Sequence, residues 1–339
     1  MLYRKLLVPG IVMLSSVLSA CTSIGPQAIK GTRMQYNQAV QATNIQQLLL
    51  NLVRLHHDDT VFFIDVSSIT STVSLTNSPT LTVAKTFTSS SIVDTLSFTD
   101  APVITYTPLQ GDSFVNELLA PLDLSQFILL SEAGWDVTRL MLTTLKQINH
   151  NYNESSADGS NADDYQRFIT ITKLLQALED DHLMELNYSV KNKVVLPVIH
   201  FKKEAFTSSA GKQLKEKLGL ADGFDTFYLS DNIGDESNKQ VIQIQTRSLM
   251  DIMRSLSVLV KKTDDGRCSK NVDAIFSICS GREKPGRNVF SKIRYADKWF
   301  HVDDDDKQSK LTLSFLSQIF ALQSGTTLAT GPSVTIPAN

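Results

Sequence analysis

Apolar positions along this chain fall into two rhythms that alternate without a fixed order. Ile45, Leu48, Leu49, Leu52, Val53 and Leu55 recur at helical spacing, with Asn44, Gln46, Gln47, Asn51 and Arg54 between them. This predicts an amphipathic helix capped by Thr43 or Asn44, or beginning nearer Met34, with His56-His57 at its end and Asp58-Asp59 in the turn. Val61–Val66 reads as a buried strand. Ser67–Tyr106 is rich in Ser and Thr, with apolar residues spread through it, and predicts two or three strands with one wet face; a Ser/Thr-rich linker is the competing reading. Short helices follow at Gly111–Leu119 and Leu124–Ala133, whereas Trp135–Ile148 mixes both periods.

Asn149–Asp164 carries almost nothing apolar and marks a boundary or a long surface loop. Beyond it the pattern predicts a helix from Tyr165 through Leu178 and a strand at Val194–Phe201, placed at a sheet edge by Pro197. A charged helix, Ser208–Leu218, ends near Gly219. A strand pair, Phe224–Leu229 with Gln240–Thr246, precedes a strongly amphipathic helix through Leu249, Ile252, Met253, Leu256, Leu259 and Val260. Val289–Tyr295 and Lys298–Val302 read as a hairpin around Ala296-Asp297. Leu313, Leu316, Ile319 and Phe320 make the last helix, and Val334–Ile336 adds a strand. Helices and mainly antiparallel strands without a βαβ rhythm give an α+β class. The expected division is 1–20 leader, 21–31 tether, 32–150 and 165–339 as two α+β regions, and 151–164 as the polar link between them.

The first twenty residues change the picture. Arg4 and Lys5 precede a broken apolar run that ends in Leu18-Ser19-Ala20-Cys21, the layout of a secretory leader too short to span a bilayer. The box resembles the lipobox of bacterial lipoproteins. In that family the cysteine thiol takes a diacylglycerol and cleavage leaves the cysteine first, so the resemblance implies lipidation of Cys21. Two or three acyl chains anchor a protein stably. Thr22, where Gram-negative lipoproteins held in the inner membrane usually carry Asp, implies outer-membrane residence with a periplasmic body. Loss of Arg4 and Lys5 lowers the net charge from −3 to −5 and leaves no basic block, which argues against nucleic acid as a partner. The remaining cysteines, Cys268 and Cys279, form a disulfide candidate for an oxidising compartment, with two separate thiols as the alternative.

Candidate chemistry is sparse. His56-His57-Asp58-Asp59 holds acid–base groups, but neighbours on a helix point apart, and a histidine pair suits a helix C-terminus. Asp303–Asp306 offers carboxylates without the alternation and glycine of a calcium loop, and it stands where a helix N-terminus needs a cap. Ala210-Gly211-Lys212 has the end of a P-loop without its opening glycine, and no nucleophile elbow or zinc spacing is present. The sequence therefore designates no catalytic residue, metal or cofactor.

Tyr36-Asn37-Gln38-Ala39, the Gln47–Leu55 run, Asp65–Ile69 and Tyr295–Val302 with the following acidic run together resemble a widespread group of uncharacterised proteobacterial lipoproteins. In general design the chain is also similar to the small lipoproteins that decorate the Dot/Icm type IVB secretion core. The first resemblance brings no enzymatic residues with it. Lipid anchoring, α+β bulk and the lack of assembled chemistry lead to a non-catalytic component of an envelope assembly, held to the membrane by Cys21, and the second resemblance points to a secretion machine. An exposed strand edge in Ser67–Tyr106 or at Pro197 would bind partners, with Phe62, Phe63, Trp299 and Phe300 as contacts where exposed. The alternative is an envelope hydrolase or glycan binder, which a concave pocket joining His56 or His57, Asp303–Asp306 and a polar strand face would favour.

Overall fold

The computed structural model describes residues 24–83, 90–153, 162–191, 193–231, 240–262, 274–324 and 334–337. Helix α1, Ile24–His56, runs for 33 residues and buries Ile45, Leu48, Leu49, Leu52 and Val53. The stretch read as a tether is thus helical from Ile24 onward. Strands β1 (Phe63–Val83) and β2 (Ser90–Leu109) pair antiparallel from end to end as one long hairpin. Three short helices follow: α2 (Asp112–Leu119), α3 (Leu124–Glu132) and α4 (Val137–Thr144). Asp123 closes a capping box on α3, and Asp136 caps α4.

A six-stranded sheet forms the centre. Its strands are β3 (Leu145–Ile148), β4 (Asn151–Tyr152), β5 (Met184–Lys191), β6 (Val194–Phe201), β7 (Thr226–Ser230) and β8 (Val241–Thr246), in the order β4-β3-β8-β7-β6-β5. The pairing of β3 with β8 joins the two halves expected from the sequence into one sheet over one core. Helix α5 (Ala162–Asp180) packs against α4 and against α6 (Ser209–Leu218), which ends at Gly219 in the left-handed region (φ 65°). Pro197 does not mark an edge strand, because β6 lies between β5 and β7. Within β6, the ladder to β7 covers Val198–His200, so proline stands just outside it, where its missing N–H removes no bond to β7.

Helix α7 (Leu249–Ser257) leads to a second sheet, in the order β11-β12-β10-β9. Its strands are β9 (Val260–Lys262), β10 (Ile278–Gly281), β11 (Val289–Tyr295) and β12 (Lys298–Asp303). Ala296 and Asp297 turn the β11–β12 hairpin with φ of 46° and 61°, the two left-handed residues that a tight two-residue turn requires. Helix α8 (Lys307–Ser324) follows, and β13 (Val334–Pro337) returns to pair with Val103–Tyr106 of β2. The fold is α+β. No helix of the described residues is long and apolar enough to cross a membrane.

Candidate docking site at the base of the hairpin arm

The β1–β2 hairpin is built on a period of two. Register pairs Ile69 with Ile104, Leu75 with Phe98, Asn77 with Leu96 and Leu81 with Ile92, so these positions share one face. The other face takes Ser68, Thr70, Thr72, Ser74, Thr76, Ser78, Thr80 and Thr82 of β1, opposite a series that includes Thr99, Ser97, Thr95 and Ser91 of β2. A bulge between Val66 and Ser68 shifts the alternation by one residue, so Ile64 and Val66 before it lie on the same face as Ile69 after it.

Helix α1 grips the base of this arm through two side-chain amides one helical turn apart. The Nδ2 of Asn51 donates to the Phe62 carbonyl at 2.8 Å, and the Phe62 N–H donates to Asn51 Oδ1 at 3.0 Å. Gln47 does the same at Ile64, with distances of 3.1 and 2.8 Å. Four residues of helix rise about 6 Å and two residues of strand about 6.6 Å, so amides at i and i+4 match alternate residues of a strand edge. The side chains act as a short surrogate strand on the outer edge of β1. Beyond Ile64 that edge has no strand neighbour among the described residues.

Between helix and arm lies a cavity of about 470 Å³, lined by Thr43, Asn44, Gln47, Ile64, Val66, Tyr106 and Pro108. Its floor is the start of the arm's apolar face. Its walls offer amides, a hydroxyl and a phenol but no carboxylate, histidine or cation. Such a surface suits an apolar segment or an added strand more than acid–base chemistry.

Of what was singled out from the sequence, the Ser67–Tyr106 segment forms the arm and Phe62 joins the clamp through its backbone; the candidate chemical groups lie elsewhere. Cys21 and Cys268 fall outside the described residues. Cys279, on β10, is buried and held in a disulfide. Its sulfur, a ring nitrogen of His301 and a carboxylate oxygen of Asp303 lie within 4.8 Å of one another. A disulfide sulfur is not a thiolate, so this trio retains two ready donors, short of the set a structural metal uses. Burial holds the His301 pKa below the ordinary histidine value, against the opposing pull of Asp303, whose carboxylate stands 3.3 Å from Nε2.

The acidic run disperses. Asp306 accepts from the Ser309 N–H and hydroxyl and from the Ser277 hydroxyl, tying the start of α8 to the residue just ahead of β10. Asp304 pairs with Lys310 at 2.6 Å. His56 Nδ1 lies 3.1 Å from the Ser257 carbonyl, and His57 meets the rings of Tyr295 and Phe300 edge-on. Phe62 is exposed and Trp299 half-buried, whereas Phe63 and Phe300 are core. The roles of Gln47 and Asn51 did not emerge from the sequence reading. The available signal was the four-residue spacing of two amides beside an apolar stripe.

No family model matches this chain, and no curated protein or solved structure does either.

Proposed function

We propose that this protein is a lipid-anchored outer-membrane lipoprotein with a periplasmic body, acting as a non-catalytic component of an envelope assembly. The observation that carries this reading is the hairpin arm. Its two strands of 21 and 20 residues extend far beyond their anchorage on α1, with no other strand beside their outer parts among the described residues and with apolar residues concentrated on one face. A two-stranded ribbon is marginal in water, so an arm of this length belongs with a partner. The cavity at its base extends the apolar face to the helix and provides a place for a partner segment to seat. The leader and Cys21 supply the membrane attachment.

The test is recovery of the full chain from membranes after mild crosslinking in cells, with bound proteins identified by mass spectrometry and Cys21→Ser as control. Stoichiometric envelope subunits, lost in the control, are the expected result. A lipidated chain recovered without any crosslinked protein contradicts the reading.

A further inference from the structure

The arm and the start of α1 leave the body on the same side. Along the amide clamp, α1 runs from Gln47 to Asn51 while β1 is met in the reverse order, Ile64 then Phe62. The cavity continues the series, with Thr43 and Asn44 beside Val66. Following α1 back toward its first residue therefore follows β1 toward its far end. The helix from Gln47 back to Ile24 covers about 35 Å at 1.5 Å per residue. The strand from Ile64 to Val83 covers about 63 Å at 3.3 Å per residue. Carried straight, the arm outreaches the start of the helix by about 28 Å, or about nine residues of each strand, at the lower end of the roughly 9–11 residues that a tilted membrane strand uses. Cys21, the lipidation residue, stands three positions ahead of Ile24.

The outreaching part is two-faced. One face takes Leu75, Pro79, Leu81, Val83, Ile92, Leu96 and Phe98, interrupted by Asn77, Ser90 and Asp94. The other takes Thr76, Ser78, Thr80, Thr82, Ser91, Thr95 and Ser97, with Val93 as its one apolar member. Alternation of this kind matches strands with lipid on one side and water on the other. A single hairpin cannot enter a bilayer, because both edges would carry unpaired N–H and C=O groups. Strand β13 covers β2 only at Val103–Tyr106, so beyond that point neither edge has a neighbour among the described residues.

We infer that copies of this chain stand side by side, β1 of one against β2 of the next, and close their arms into one β-barrel through the membrane that holds the Cys21 lipid. A second copy is the occupant that supplies a matching edge of the same length and leaves none open. The apolar face then meets lipid, and the Ser/Thr face lines an aqueous lumen. This rests on the anchored-component reading above and names its partner as the same chain.

The experiment uses the full chain with its leader, extracted from membranes in mild detergent, sized, and added to planar bilayers in potassium chloride. A discrete oligomer with steady conductance is expected. Leu81→Glu or Leu96→Glu, on the lipid side, should reduce conductance at least tenfold while the body melts unchanged. Thr80→Glu or Thr95→Glu, on the lumen side, should keep the oligomer and raise cation preference. A monomer without conductance, or equal loss from both faces, overturns the barrel. Incorporation of labelled fatty acid, lost in Cys21→Ser, reads the anchor separately. Label without an oligomer removes the barrel and leaves the anchored component; an oligomer without label does the reverse.

Discussion

The side-chain amide of Asn51 completes both backbone hydrogen bonds of Phe62, at 2.8 and 3.0 Å, from a helix position that is fully buried. Helix α1 thus ends the open edge of β1 where the arm enters the body, and Gln47 repeats the contact one turn earlier. Asn51→Leu should remove both bonds and leave the Phe62 N–H and carbonyl without partners beside the core, destabilising the fold by about 2–3 kcal/mol. Gln47→Ala, on the wetter side of the clamp, should cost about 0.5–1 kcal/mol. Urea unfolding of the two variants measures the difference, and hydrogen exchange at Phe62 and Ile64 should accelerate in each.

Much of the architecture was legible because its elements announce themselves locally. The Ile45–Leu55 stripe of α1, the Leu249–Leu256 stripe of α7, the Gly219 helix end and the Ala296-Asp297 turn need only neighbouring residues to specify them. Trp135–Ile148 gave both periods because it holds both structures, with Thr144 ending α4 and Leu145 starting β3 without an intervening loop. The amide clamp was hidden because it joins residues 11 and 17 positions apart through backbone atoms, which carry no residue identity. Pro197 misled because its neighbour strand is short, a property of β7 and not of the proline.

Gly211 accounts for the fragment that looked like the end of a P-loop. A Cβ at this position would stand 2.0 Å from the Ala205 carbonyl oxygen, so α6 packs on the preceding 3₁₀ turn only with glycine there. Gly211→Ala should force the helix off that turn and destabilise by about 1–3 kcal/mol despite alanine's better helix propensity. Thermal melting checks this; an unchanged or raised melting temperature would show that the turn yields freely.

Arg139 is buried and distributes its guanidinium among Asp136, the Gln308 side chain and carbonyl, and the Thr312 hydroxyl, joining α4 to α8. Arg139→Lys keeps the charge but loses the planar fork, and should destabilise by about 2 kcal/mol or more. Denaturant titration against Thr138→Ala, a neighbour facing α5, separates this loss from a general weakening of α4.

His301 sets an acid limit. Its folded pKa is lowered by burial, so the unfolded chain binds the proton more readily. The stability it contributes is fully present above the ordinary histidine range near 6.5 and is lost as pH falls from there through the folded value. Urea midpoints should drop between pH 7.5 and pH 5, and His301→Gln should flatten that part of the profile. A variant whose midpoint falls as steeply as the parent's would assign the loss to other groups.

The most direct test of an assembly role places a photo-crosslinking amino acid in the arm, at Thr72 or Thr99, and for comparison on the body, at Lys212 of α6, in intact cells. The expected result is a discrete higher-mass adduct from both arm positions and none from Lys212. Arm positions that yield only the monomer, or adducts equally frequent from Lys212, would contradict a role for the hairpin as the assembling element.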